Sequence, residues 1–152
     1  MVELQSAPAE FRVYNPDFAD EVERVFYSAP FVRDLGFELL SFEPGHCSTS
    51  LELNDKHLQQ DGYVHAGVQA TLADHTAGTA GATLLAKNQI VLTAEFKINL
   101  LRAAKGDRLE CRSRVLKPGK QLIIAESEVF CVSGDKAELV SKATVTLAVV
   151  SQ

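Results

Sequence analysis

The residues best suited to chemistry lie between Gln59 and Asp74. From Ala66 to Ala86, fourteen of twenty-one residues are Ala, Gly or Thr, and Asp74 sits among them between Ala73 and Ala77. A carboxylate in so apolar a setting has to be paired, hydrogen-bonded or neutralised. Carboxylates perturbed in this way concentrate at active sites. The plainer alternative is that Asp74 pairs with His75 or with a local hydroxyl such as Thr71. Upstream, Gln59-Gln60-Asp61-Gly62-Tyr63-Val64-His65-Ala66-Gly67 runs through a polar loop into the first turn of the same helix. The backbone N–H groups of Ala66 and Gly67 are expected to be unpaired first-turn donors at the positive end of a helix dipole. An oxyanion or polarised carbonyl would sit there, with the Gln59 side chain as a further amide donor.

Positioning these groups requires a helix where propensity is poor. Gly67, Gly78 and Gly81 each cost about 1 kcal/mol relative to Ala inside a helix. Small side chains almost all round instead permit very close approach by a sheet or a partner helix. The flanking elements follow from pattern. Asn15-Pro16-Asp17 predicts a helix start, with Asn15 as the cap and Pro16 as the first helical residue. Phe18, Val22, Val25 and Phe26 give that helix one apolar face, and Ser28-Ala29-Pro30 ends it. Strands are predicted at Phe37–Phe42 and at the segment placing Cys47, Thr49, Leu51 and Leu53 on one face. After the central helix, Ile90, Leu92, Ala94, Phe96, Ile98 and Leu100 alternate with polar or smaller residues, which predicts a half-buried strand. Three more strands follow, separated by turns at Lys117-Pro118-Gly119-Lys120 and Ser133-Gly134-Asp135. The predicted class is α+β, one mainly antiparallel sheet covering one helix.

With 152 residues, 46% apolar and 23% charged, the chain reads as one globular domain over residues 1–152, with residues 1–14 a loose arm. That composition excludes disorder, collagen and a disulfide scaffold. No signal-like or membrane-spanning run is expected. Cys47, Cys111 and Cys131 lack metal-ligand spacing and read as reduced core residues of a cytoplasmic protein; no metal is expected, and His46, His57 and His75 read as surface or structural. The net charge of −5 argues against nucleic-acid binding. Between Lys97 and Lys120, however, eight basic residues face two acids, a local charge of +6 against −11 for the rest. That stretch is either a docking site for a limited polyanion or the solvated outer face of strands.

The block Gly62-x-x-His65-x-Gly67, with Leu72-Ala73-Asp74 nine residues after the histidine, resembles the hotdog-fold thioesterases of the phenylacetate-degradation type. The element order is also similar, as are Asn99-Leu100-Leu101-Arg102-Ala103-Ala104 with Gly106-Asp107, and Lys117-Pro118-Gly119-Lys120. The resemblance spans roughly residues 30–150 of the chain and implies a hotdog fold, a curved sheet wrapped around the central helix. It implies that Asp74 is the nucleophile or general base and that His65 stands at the helix entrance. Ala66 takes the place of the first glycine of the family's His-Gly-Gly, whose backbone N–H holds the thioester oxygen. Gln59 falls where relatives carry Asn or Gln. Gly62, Gly67 and Thr79 are the further substrate-contacting candidates, Thr79 following Gly78 where some relatives have a Ser or Thr that positions water.

Ala66 and Asp74 are eight residues, hence about 12 Å, apart along one helix. Acting together, they must come from different subunits, which predicts a two-fold dimer with two composite sites; the resemblance adds pairing into tetramers. The expected reaction is hydrolysis of an acyl- or aryl-CoA thioester without a cofactor, the basic segment attracting the phosphates of CoA. Three other readings are a non-catalytic acyl-CoA-binding module, a hotdog hydratase (whose Asp-x-Asn-Pro-x-His context is lacking here) and an oligomer whose helix is only structural.

Overall fold

The computed structural model describes residues 10–152. In chain order they form helices α1 (Phe18–Ser28) and α2 (Pro30–Leu35), strands β1 (Glu38–Glu43) and β2 (His46–Glu52), and helix α3 (Ala66–Ala82). Strands β3 (Gln89–Leu100), β4 (Arg108–Pro118), β5 (Leu122–Ser133) and β6 (Lys136–Ser151) follow. The six strands make one sheet in the order β1-β2-β4-β5-β6-β3, and every neighbouring pair is antiparallel. Five of them, β2 to β6, lie against α3. No helix among the described residues is long and apolar enough to cross a membrane.

Side-chain size explains how the sheet encloses the helix. Leu72, Ala73, Ala77 and Ala80 are fully buried along α3. A Cβ on Gly81 would lie 2.6 Å from Leu147 Cδ1 of β6, so any larger residue there would have to displace this buried leucine side chain. Hydroxyls on the inner face of the sheet meet the helix backbone and its one buried threonine pair. Ser127 Oγ donates to the Ala73 carbonyl at 2.7 Å and shares a 2.6 Å hydrogen bond with Ser113. Thr49 of β2 and Thr76 of α3 pair at 2.7 Å, while Thr76 donates to the Leu72 carbonyl. Buried polar atoms matched in this way avoid a desolvation cost of about 1–3 kcal/mol each. Cys47, Cys111 and Cys131 are free and buried in this core; burial raises the Cys47 thiol pKa to about 12 and that of Cys111 to about 11.

Three expectations need correction. Helix α1 starts at Phe18 rather than at Pro16, because Asn15 closes a turn first: its Oδ1 accepts the Asp17 N–H and its carbonyl accepts the Phe18 N–H. Residues 1–9 of the predicted loose arm lie outside the described residues, but Phe11 packs on the core and meets the His46 ring edge-on at 5.8 Å. The largest departure is β3. It is the last strand of the sheet and is mostly exposed rather than half-buried, with Leu92 at 55%, Phe96 at 41% and Leu100 at 50%. Its alternation is also broken by a bulge at Ala94, since Thr93 pairs with Leu147 and Glu95 with Thr146. Before the bulge Val91 and Thr93 share a face with buried Leu147; after it Phe96 and Ile98 share that face with Val145 and Ala143. A one-residue insertion exchanges the two faces of a strand.

Two glycines one helical turn apart test this packing. Gly81→Ala is expected to cost about 1–3 kcal/mol, as overpacking of a filled core does. Gly78→Ala, whose Cβ meets nothing within 4 Å, is expected to leave the melting temperature unchanged or higher. Thermal denaturation of the two variants is the check.

Candidate active site

Asp74 lies halfway along α3 on a side that the sheet does not seal. Its Oδ1 accepts a 2.7 Å hydrogen bond from Thr93 Oγ1 of β3, and neither His75 nor Thr71 pairs with it. Partial burial raises the Asp74 pKa above the ordinary carboxylate value, and the Thr93 hydroxyl pulls it part of the way back. His75 turns away onto Phe26, with ring centroids 4.7 Å apart. Burial lowers its pKa to about 4, so it is neutral at physiological pH, and its Nε2 has no hydrogen-bond partner among the described residues. Asp74, His75, Gly78, Thr79 and Thr93 line a cavity of about 580 Å³ whose outer wall is α1, through Phe18, Val22 and Val25. Thr79 donates its hydroxyl to the His75 carbonyl at 2.8 Å.

The entrance of α3 is built separately. Buried His57 accepts the Asn54 N–H at Nδ1 (3.1 Å) and contacts the Leu35 carbonyl through Nε2 (2.7 Å), which makes Nε2 the protonated nitrogen. The loop that follows is pinned by hydrogen bonds from Val64 N–H to the Ala104 carbonyl and from His65 N–H to the His57 carbonyl. Gly62, at φ +82°, closes the Gln59–Tyr63 turn, a conformation that favours glycine. Gln59 Oε1 accepts the Asp61 N–H, which leaves the Gln59 NH2 as the free end of the side chain. Gln59, Tyr63, Ala66 and Gln69 then line a cleft of about 350 Å³, closed on the other side by Leu100–Ala104.

The expectation of two free first-turn donors is corrected here. His65 caps the helix, its Nδ1 accepting the Gly67 N–H at 2.8 Å. Gly67 is thereby spent on the cap, and the Ala66 N–H is the donor left without an acceptor among the described residues. Within one chain the candidates fall into two groups: Asp74 and Thr79 in the larger cavity, Gln59 and Ala66 in the cleft. His65 and Gly62 shape the cleft's frame. The basic segment is divided between β3, at one edge of the sheet, and β4, with β5 and β6 between them. Arg102, Arg108 and Arg114 are each paired with a carboxylate, Glu138, Glu110 and Glu126 respectively. Arg102 lines the cleft, and Lys105 lies 6.0 Å over the Tyr63 ring beside it.

Two residues of these sites escaped the sequence reading. Thr93 did so because its inward orientation depends on the bulge. Gln69 is the single long polar side chain in the small-residue run, which is a readable signal. It is 3% exposed and lines the cleft. No group of three or more His, Cys, Asp or Glu with metal-binding geometry occurs among the described residues.

The helix under an antiparallel sheet that carries these residues has counterparts of known class. A family model, the thioesterase superfamily, matches residues 61–138, the stretch holding Ala66, Gln69, Asp74, Thr79 and Thr93. A thioesterase family protein from Silicibacter pomeroyi has the same fold, with a TM-score of 0.87 at 30% identity, covering 89% of this chain and 99% of that one. A 1,4-dihydroxy-2-naphthoyl-CoA hydrolase from Listeria monocytogenes is 28% identical over 62% of this chain and 77% of its own. The Streptococcus mutans protein smu.793, solved with acetyl CoA bound, is 29% identical with a TM-score of 0.68, over 77% of this chain and 90% of that one. The chain belongs to the thioesterase superfamily and has the hotdog fold; it is a thioesterase enzyme.

Two outcomes follow from the electrostatics of Asp74. A carboxyl whose pKa is raised by folding is held more favourably protonated, so it adds stability at low pH that is lost as pH rises through its folded-state value. Asp74→Asn is therefore expected to melt at or above the wild-type temperature at pH 7, with the difference vanishing below the ordinary carboxylate range. Thr93→Val, which removes the one hydrogen bond favouring the ionised form, is expected to move the Asp74 carboxyl titration, followed by NMR, to higher pH.

Proposed function

We propose that the protein hydrolyses an acyl- or aryl-CoA thioester to the free acid and CoA at two composite sites of a homodimer. Each site joins the cleft of one subunit to the Asp74 cavity of the other. The observation that carries this reading is the separation of the two half-sites along α3. They open as different cavities of one chain, roughly 12 Å apart by helix rise, too far to meet on one thioester carbon. The exposed apolar side chains of β3 at the sheet edge, Leu92 and Leu100 among them, support a partner subunit there, since a long bare edge strand is ordinarily covered.

In the mechanism this supports, the thioester oxygen accepts hydrogen bonds from the Ala66 N–H and the Gln59 NH2, with the α3 dipole adding to the polarisation. The partner's carboxylate at position 74 either attacks the carbonyl carbon, expelling CoA thiolate and leaving a mixed anhydride that water cleaves, or takes a proton from the attacking water. Both routes require the ionised carboxylate, and partial burial increases its basicity. His65 acts by orienting the entrance: its ring is engaged in the cap. Lys105, beside the Tyr63 ring, supplies positive charge next to the cleft for the CoA phosphates. The acetyl CoA bound to the S. mutans relative supports a CoA ester as ligand. The three buried, unpaired thiols suit a reducing compartment, in keeping with the cytoplasm.

A thiol-release assay over a panel of acyl- and aryl-CoAs tests the activity, and mixed subunits test the composite site. Asp74→Asn is expected to lower kcat by roughly a hundredfold or more, and Gln59→Leu to lower it as well. Co-expression of these two variants, with one intact site per mixed dimer, is expected to restore about a quarter of the wild-type rate. Mixed dimers no more active than either parent would show that both groups serve the same chain's site, and turnover surviving Asp74→Asn would dismiss that carboxylate.

A further inference from the structure

The cleft at the α3 entrance contains a polar group that neither the fold nor the proposed reaction employs. Gln69 is one helical turn beyond Ala66 on the same face of α3, about 4.5 Å along the axis. Helical side chains lean toward the N-terminus, so its carboxamide reaches back over the Ala66 turn. It lines the cleft with Gln59 and Ala66 while being 3% exposed. Its Oε1 has no hydrogen-bond partner among the described residues.

No donor of the described residues lining the cleft bonds it. On the Leu100–Ala104 side, the Leu101 and Arg102 N–H groups both go to the Val140 carbonyl, at 2.8 and 3.2 Å, and the Ala104 carbonyl already holds the Val64 N–H. On the loop side the Asp61 and Gly67 N–H groups are taken by Gln59 and His65. A buried acceptor left open is destabilising. Such a group calls for a partner from outside the chain, an ordered water or a molecule that enters the cleft.

We infer that Gln69 binds the pantetheine arm of the substrate, its carboxamide pairing with the amide two methylenes beyond the thioester sulfur. The inference rests on the thioesterase reading and deepens it. With the thioester oxygen on the Ala66 N–H, the next polar group along a CoA ester is a secondary amide, one donor and one acceptor. A primary carboxamide complements both, and a half-turn about its terminal bond presents either oxygen or NH2. Gln69 is thus a positioning residue that reads the carrier, leaving the acyl group to the Asp74 cavity. An ester or thioester without that amide leaves the carboxamide unpaired, a mismatch by which polar sites discriminate.

The test compares wild type with Gln69→Met, a replacement of similar length without polar atoms. Substrates are benzoyl-CoA and S-ethyl thiobenzoate, which share the acyl group and differ in the carrier. KM for benzoyl-CoA is expected to rise about tenfold, the loss of roughly one hydrogen bond, with kcat changed much less. The loss in kcat/KM on S-ethyl thiobenzoate is expected to be several-fold smaller. Calorimetric titration with CoA alone is expected to show a Kd raised about tenfold, and the melting temperature is expected not to fall, because an unpaired buried acceptor is removed. Unchanged KM and CoA affinity would mean that only water completes Gln69, and a variant that melts lower or does not fold would make its role structural; either overturns the inference, as does wild-type protein that binds no CoA. Wild type that binds CoA yet releases no thiol defeats the thioesterase reading instead, and CoA binding by the variant then decides the role of Gln69 on its own.

Discussion

The close approach of the sheet to α3 is the constraint on which the other features depend. With alanine and glycine along most of the helix, β5 and β6 come near enough for Ser127 to bond the Ala73 carbonyl and for Leu147 to fill the space above Gly81. Such a helix gains little from its own propensity and is held by burial. A helix held so tightly has few places for a charge. Asp74 occupies the side left open between α1 and β3, and its entrance is the other place where polar groups reach solvent. Packing thereby decides where chemistry can occur before any catalytic preference enters.

The two openings are electrically different. At the entrance the helix dipole, the Ala66 N–H (without an acceptor among the described residues) and the Gln59 NH2 favour developing negative charge. At Asp74 partial burial works against negative charge and Thr93 works for it. One environment suits a carbonyl oxygen on its way to an oxyanion; the other suits a carboxylate ready to give up its charge to carbon or to a proton. Their distance along a rigid helix keeps them from neutralising each other within one chain.

Much of this was legible in the residues. The small-residue run, the isolated Asp74 and the polar loop before Ala66 stand out because each is unusual for its surroundings. The order of elements followed from alternation and turn residues, and the Gly62–Gly67 block with Asp74 pointed to the family. The errors have local causes. Asn15 formed a turn before it could cap. His65 took the Gly67 N–H because its ring folds back on the first turn, a matter of one side-chain rotamer that residue type does not reveal. Short helix α2 has too few residues to display a period. In β3, the bulge at Ala94 keeps an apolar-looking alternation on paper while reversing which residues face the helix. Thr93 could not be found without knowing where that reversal falls. Gln69 could be seen as the odd residue in its run, but its lack of a partner is a property of three dimensions.

The His57 side chain links parts of the molecule that seem unrelated in the chain. Through its two ring nitrogens it joins the Leu35 carbonyl at the end of α2 to Asn54 at the head of the Gln59 loop, and its own carbonyl holds His65. The N-terminal helices are thus anchored to the frame of the cleft while α1 forms a wall of the Asp74 cavity. A substitution in this N-terminal segment is therefore felt at the Asp74 cavity and at the cleft together, without touching any residue of the Gly62–Gly67 block.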